Sequence, residues 1–390
     1  MSMNNFSFNT TAGIRFGSGS SKDCAKEISQ KLGSNILFVT DRDLMKLKLT
    51  EPTLNELKKN SSKIEVFQDV EADPSLQTLK NAIDLGKKMN ATGVIGFGGG
   101  SSMDVAKLAS LILGSKEDIE DAWGVSNAKG PRLPLVLVPT TAGTGSEVTP
   151  ISIITVGEEE KKGVSSPIIL PDLAILDPDL TLGLPAFTTA ATGIDAMVHA
   201  IEGYASANKN NNTISKMLAT EALKLLGSSI EKAVFDGSNL EARSNMLIGA
   251  MLAGKSFANS PVAAVHALAY PIGGTFHISH GLSNSLVLPY VLRFNSADSK
   301  ATKNYAELAP FAFPDINLNQ GNQAICSDFI DRLEKLSIKL GLPQKLRDVD
   351  IPKEACKKMA SDAMKQTRLL VNNPREVTEK DAFNIYEAAW

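Results

Sequence analysis

Four histidines occur in 390 residues, and three of them fall in one stretch, VHALAYPIGGTFHISHG, over 265–281. The fourth, His199, follows Asp195 by four residues in GIDAMVHAIEGYA. On a helix, a carboxylate and an imidazole at that spacing project from one face, one turn apart, and form half of a metal site. Such pairs also occur simply to hydrogen-bond with each other. His266 and His280 are 14 residues apart. On one continuous helix they would stand about 21 Å apart at ~1.5 Å per residue, too far to share an ion. SPVAAVHALAY reads as a helix with Ser260 as N-cap and Pro261 at its first position. Pro271, Gly273 and Gly274 interrupt it, and a chain that turns back there brings His266 and His280 to one point; a plain loop is the alternative. Asp195, His199, His266 and His280 then supply three imidazoles and one carboxylate. That set leaves one or two positions open, as a catalytic ion requires. With no thiolate it suits Fe(II), Zn, Ni or Co, and affinity order alone does not choose among them.

A second set of residues reads as a nucleotide cradle. GVIGFGGGSSMDVAKLAS is a strand, a turn of Gly98, Gly99, Gly100 and Ser101, and a helix that carries Asp104. Glycines let a phosphate approach the backbone, and the helix N-terminus offers free N–H groups and the positive end of its dipole. The run is not the GxGxxG fingerprint, and a tight strand–helix turn also explains it. VPTTAGTGSEVT follows another apolar strand and presents Thr140, Thr141, Thr144, Ser146 and Thr149 where ligands bind in parallel sheets. Asp41, just past the strand NILFVT, is placed to accept hydrogen bonds from both ribose hydroxyls; a helix N-cap is its other reading. A carboxylate there repels a 2′-phosphate, so NAD is favoured over NADP.

The elements that must position these groups change character along the chain. Strands are expected at NILFVT (35–40), KIEVF (63–67), ATGVIGF (91–97) and LPLVLVP (133–139), with helices at 75–90 and 102–114 between them. Apolar strands alternating with helices indicate a parallel sheet covered on both faces. ISIITV (151–156) and DLAILD (172–177) read as further, partly antiparallel strands. From Pro185 the periodicity is almost wholly helical, for example over 213–235, 240–258 and 324–342. The expectation is a Rossmann-like α/β domain over 1–185 and an all-α domain over 186–390.

Composition narrows the function classes. Apolar residues make up 43% and the net charge is −3, ordinary for a globular protein, and no basic run tracks phosphates, so nucleic acid is not an expected partner. The apolar runs are too short for a membrane span, and the polar start MSMNNFSFNTTAG does not resemble a signal peptide. Three scattered cysteines, Cys24, Cys326 and Cys356, fit reduced thiols in a cytoplasmic protein.

GGGSSMDVAK, PTTAGTGSEVT, GIDAMVHAIEGY, VHALAYPIGG…HISHG and NPREVTEKDAFNIYEAAW together resemble the iron-containing (group III) alcohol dehydrogenases, essentially from end to end. The resemblance implies a dehydroquinate synthase-like architecture and metal ligands at Asp195, His199, His266 and His280. It places cofactor contacts at Asp41, Gly98 to Gly100, Ser101, Thr140, Thr141, Thr144 and Lys162, with the cofactor between the α/β and all-α domains. It also implies a homodimer or higher homo-oligomer. Many members carry a second histidine where Tyr270 stands, and often asparagine where Asp73 stands. The expected reaction is reversible hydride transfer between a primary alcohol and NAD, with His277 relaying the alcohol proton and Tyr270 second to it. A hydroxyacid–oxoacid transhydrogenase would use the same site but needs basic groups for the substrate carboxylate. A dehydroquinate synthase-like lyase would need several Lys and Arg, of which only Lys255 and Arg293 stand near these stretches.

Overall fold

The computed structural model describes residues 5–61, 63–157 and 160–390. The chain forms two compact units. One comprises Asn9–Thr141 and Gly145–Leu182; the other comprises Gly183–Trp390, residues 5–8 and Ala142–Thr144.

The first unit is built on a six-stranded sheet of order β1-β9-β6-β4-β2-β3. Its strands are β1 (Gly13–Phe16), β2 (Asn35–Val39), β3 (Lys63–Phe67), β4 (Gly93–Gly98), β6 (Leu135–Pro139) and β9 (Leu173–Leu176). Every pairing in it is parallel. The strands are apolar at both parities because both faces are covered. Leu37, Val39, Val94, Leu135 and Leu137 enter one buried cluster. Their alternating neighbours Ile36, Phe38, Ile95, Phe97, Val136 and Val138 enter another. Two helices of this unit matter below, α1 (Leu76–Met89) and α2 (Gly100–Ser115). After β3, at one edge, the chain passes back over β2 to form β4. The strand order reverses there, and in such sheets ligands bind outside the carboxyl ends of the strands at that switch point. Asp41 follows β2 and the glycine turn follows β4, one on each side of it.

A second sheet of order β5-β8-β7 joins β5 (Gly124–Val125), β7 (Ile151–Val156) and β8 (Glu160–Ser165). β7 and β8 are antiparallel, whereas β5 pairs with β8 in parallel. The strand at 172–177 differs from its expected partly antiparallel character. As β9 it lies between β1 and β6 in the main sheet, parallel to both, so its four residues are buried on both faces.

The second unit is helical. Its central helix α3 (Ala186–Ala205) is buried almost without interruption from Thr189 onward. It packs against Thr213–Phe235, against α4 (Leu240–Asn259) and against a helix farther along the chain, His280–Asn295. That last helix, α6, packs in turn against α5 (Ala264–Phe276). No helix among the described residues is long and apolar enough to cross a membrane.

Candidate metal centre and nucleotide cradle

Helix α3 carries Asp195 and His199 on one face, His266 lies in the first turn of α5, and His280 opens α6. The structure brings all four together. The Nε2 atoms of His199, His266 and His280 stand 3.9, 3.9 and 3.5 Å from Asp195 Oδ1. One donor atom from each residue lies within 4.8 Å of the others. Asp195, His199 and His266 are buried, whereas the His280 side chain is 38% exposed, so the cluster is open on that side.

The hairpin that joins His266 to His280 forms differently from the sequence expectation. Helix α5 does not stop at Pro271 but runs through it to Phe276. An internal proline loosens the turn before it, and there Tyr386 donates its hydroxyl to the Leu268 carbonyl at 2.6 Å. The reversal comes at His277, whose left-handed backbone (φ 56, ψ 28) caps α5 and sends its N–H back to the Gly273 carbonyl at 3.0 Å. The start of α5 also differs. It begins at Ala264 rather than beside Ser260 and Pro261, and the Ser260 hydroxyl instead donates to the Gly203 carbonyl. The capping acceptor comes from α3: Glu202 accepts from the N–H groups of Ala263 at 3.1 Å and Val265 at 2.7 Å.

Glu202 has a second task. Its Oε2 accepts from His266 Nδ1 at 2.7 Å, which fixes the ring and leaves the Nε2 lone pair pointing into the cluster. Asn284 donates from Nδ2 to Asp195 Oδ1 at 2.6 Å and lies 3.3 Å from the Nε2 atoms of His266 and His280. Phe257 stacks on His199 with ring centroids 4.3 Å apart. A Cβ at Gly281 would run into the Ala191 carbonyl and sit 3.3 Å from Asp195 Cβ, so α6 meets α3 backbone to backbone beside the donors. A Cβ at Gly143 would sit 2.8 Å from Thr192 Cβ, which requires glycine there. Sequence reasoning did not single out Glu202 or Asn284. Their spacing carried a signal, since Glu202 is seven residues after Asp195 and Asn284 four after His280, on the same helical faces.

Electrostatics favour the ligating forms of His199 and Asp195. Burial pushes His199 down to about 3, with the His266 and His280 rings adding to that effect against the pull of Asp195. Burial alone would raise the Asp195 carboxyl. The His199, His280 and His266 rings and the Asn284 amide outweigh it and hold the group below its ordinary value. Three imidazoles beside one carboxylate, with one ring braced by a second carboxylate, fit a divalent transition ion; magnesium and calcium prefer all-oxygen shells.

Tyr270 reaches this centre, its ring centroid 6.2 Å from that of His280. His277 is exposed at the turn and makes no side-chain hydrogen bond or ring contact among the described residues.

In the α/β unit, β4 leads through Gly99, the N-cap of α2, into a first turn free of acidic residues and without a side-chain cap. Gly98 has φ 154, and a Cβ there would sit 2.7 Å from Ser102 Oγ. The N–H groups of this helix end are thus left to an anion. Thr140 follows β6 and donates its N–H to the Gly98 carbonyl at 3.0 Å, and Thr141 packs beside Gly99. Thr144 belongs to the segment that groups with the helical unit. Asp41 is an N-cap, accepting from Leu44 N–H at 2.9 Å, and burial pushes its carboxyl up. Lys162 lies on β8 opposite Ile154, half-buried, while its neighbour Lys161 pairs with Asp73 at 2.7 Å.

Three expected cofactor contacts use their polar atoms internally. Asp104 Oδ1 accepts from the Ser146 hydroxyl at 2.7 Å and Oδ2 from Ile153 N–H at 2.8 Å. Ser146 and Thr149 both accept from Lys107, at 2.7 and 3.3 Å. The reason is Lys107 itself, completely buried and in need of acceptors.

Comparison with known proteins identifies the family. Residues 11–178 match the profile of the iron-containing alcohol dehydrogenases, and residues 189–390 match the C-terminal profile of the same family. Long-chain-alcohol dehydrogenase 1 of Geobacillus thermodenitrificans is 38% identical over 383 residues, covering 96% of this chain and 94% of that protein. Sulfoacetaldehyde reductase of Bilophila wadsworthia is 33% identical, with 97% of each chain covered. The solved structure of an alcohol dehydrogenase from Oenococcus oeni superposes with a TM-score of 0.94 at 33% identity, covering 99% of this chain and 100% of that one. Matched by both profiles and by relatives along nearly its whole length, the chain belongs to the iron-containing alcohol dehydrogenase family and is an oxidoreductase of alcohols and aldehydes.

Proposed function

We propose that the chain transfers hydride reversibly between a primary alcohol and NAD, with Fe(II) held by Asp195, His199, His266 and His280. The observation that carries this reading is the meeting of those four donors within 4.8 Å, open on the His280 side. Zn, Ni and Co suit the same donors. A divalent ion bound there lowers the pKa of an alcohol hydroxyl and polarises the carbonyl of an aldehyde. The protein's own groups bind and orient. Glu202 holds His266 in the ligating tautomer, and Asn284 holds Asp195. Tyr270, beside His280, forms a wall of the substrate position. His277, exposed to water, exchanges the alcohol proton with solvent. The uncapped start of α2 with Gly98 to Gly100 and Ser101 takes the pyrophosphate; Thr140, Thr141, Thr144 and Lys162 line the rest of the cofactor. Asp41 at the end of β2 selects NAD over NADP by accepting from the ribose hydroxyls. Three unpaired cysteines support a reducing, cytoplasmic setting. The family resemblance supports a homodimer.

The test is to strip the metal, reload anaerobically with Fe(II) or Zn(II), and follow NADH absorbance against short aldehydes, diols and oxo acids. Metal-dependent NADH oxidation with an aldehyde is the expected result. Exchange between a hydroxy acid and an oxo acid without net NADH change would replace this reading with a transhydrogenase. Silence in both assays with metal bound would refute it.

A further inference from the structure

The loops that follow β4 and β6 are clipped together at two points. One clip is the hydrogen bond from Thr140 N–H to the Gly98 carbonyl, 3.0 Å long. The other is Lys107, on α2 beyond the glycine turn and completely buried. Its Nζ donates to Ser146 Oγ and to the Ile151 carbonyl, both at 2.7 Å, and to Thr149 Oγ1 at 3.3 Å. Three N–H donors thus meet three acceptors. Asp104, one turn earlier, places Oδ1 3.7 Å from Nζ, takes the Ser146 hydroxyl, and ties Ile153 N–H with Oδ2. Between the clips runs Thr141 to Gly145, which includes Gly143 and Gly145, the latter at φ 60. Such a segment has little intrinsic order.

A buried ion pair is poor evidence for stability, because an apolar side chain of similar volume often serves as well or better. Burial pushes Lys107 down to about 8 and raises Glu147, within the same turn, to about 7. What the ammonium group supplies is direction, since it fixes two acceptors of one loop, Ser146 and Thr149, and the first carbonyl of β7 against the helix that begins at the glycine turn.

We propose that Lys107, with Asp104 as its counter-charge, is a positioning residue for the dinucleotide, holding the Thr140–Thr149 loop in register with the Gly98–Ser101 turn. This rests on the reading of that turn as the cofactor cradle. Lys107 acts through Ser146 and Thr149 and touches neither cofactor nor substrate.

The test compares metal-loaded wild type with Lys107→Met, which keeps the volume and removes the donors, and with Asp104→Asn. NADH affinity is read by fluorescence, with KM for NAD, kcat at saturating cofactor, metal content and thermal stability alongside. In Lys107→Met the NADH dissociation constant and KM should rise about tenfold, roughly the weight of one lost charge-assisted contact, while kcat stays within about twofold and metal content is unchanged. Asp104→Asn should move both constants in the same direction by a smaller factor. NADH affinity of a folded Lys107→Met within about twofold of wild type would overturn the proposal, as would loss of kcat together with metal. If Lys107→Met does not fold, unchanged NADH affinity in Asp104→Asn overturns it. Metal-loaded wild type that binds no NADH would instead remove the cofactor reading itself.

Discussion

Replacing Glu202 with Gln should damage the metal centre without touching any of its four donors. Glu202 is buried, and its two oxygens serve three N–H groups: Oε2 those of His266 and Ala263, Oε1 that of Val265. A glutamine has the same shape but only one acceptor oxygen. If that oxygen faces His266 and Ala263, the new NH2 group confronts Val265 N–H. If it faces Val265, the NH2 group confronts Ala263 N–H, and His266 keeps a hydrogen bond only by accepting at Nδ1. The ring proton then sits on Nε2, where the ligating lone pair is needed. The first orientation strands one buried N–H, at about 1–3 kcal/mol of stability. The second removes a ligand. Populating the second orientation should weaken metal binding about 10–100-fold, the usual scale for losing such a brace. The assay titrates metal-free protein with Zn(II) against a chromophoric chelator and records thermal unfolding of the same metal-free sample. Lower stability with wild-type metal affinity would refute the tautomer argument and leave Glu202 as a helix cap alone.

Other perturbations separate the remaining roles. His280→Ala removes the most exposed of the four donors, so metal affinity and turnover should collapse while the metal-free protein unfolds within about 1 kcal/mol of wild type, the scale of a half-exposed contact. Metal content by mass spectrometry and a thermal melt check both. Glu147 is raised from 4.5 to about 7 by burial, so the folded state keeps a proton that the unfolded chain releases. Its contribution is complete below about 4.5 and lost as pH rises through about 7, so wild type should lose stability relative to Glu147→Gln across that window. Denaturant melts at pH 4.5 and 7 read the gap, and a constant gap would count against the shift. At His277, φ 56 favours glycine over alanine, so His277→Gly should be about 1 kcal/mol more stable than His277→Ala. Both variants should keep their metal and lose turnover; wild-type turnover across pH would remove His277 from the proton path.

Much of the site was legible because few residue types can do this chemistry. Asp195 and His199 four apart, and two more histidines around a break, already mark a candidate ligand set, and the structure brings the four together. The parallel sheet was legible because strands such as β4 and β6 are apolar at both parities. What stayed hidden depends on partners distant in sequence. Pro271 reads as a helix end, yet the helix continues through it, with Tyr386 bonded to a carbonyl in the turn it loosens. Ser260 reads as an N-cap, yet Glu202 caps that helix from α3. Ser146 and Thr149 read as ligand-facing because ligands of parallel sheets bind beyond the carboxyl ends of strands, and Asp104 groups with the glycine turn that precedes its helix; buried Lys107 takes Ser146 and Thr149 as acceptors, and Asp104 accepts from Ser146. The strand EKKGVS is too polar and glycine-broken to announce itself, and pairing with β7 and β5 makes it one.

The contact at Gly281 bears on how this centre can change under selection. Because the main chains of α6 and α3 touch there, the distance between His280 and Asp195 is set by backbone and not by an adjustable side chain. A saturation library at 281 should return glycine almost alone, since even a methyl group must separate the two helices. On the proposed placement of the substrate, adaptation to a new alcohol has to work at the open flank around His280 and Tyr270, where side chains rather than helix axes decide what fits. Diversity in substrate and constancy in the metal frame are therefore expected to coexist within a few residues of each other.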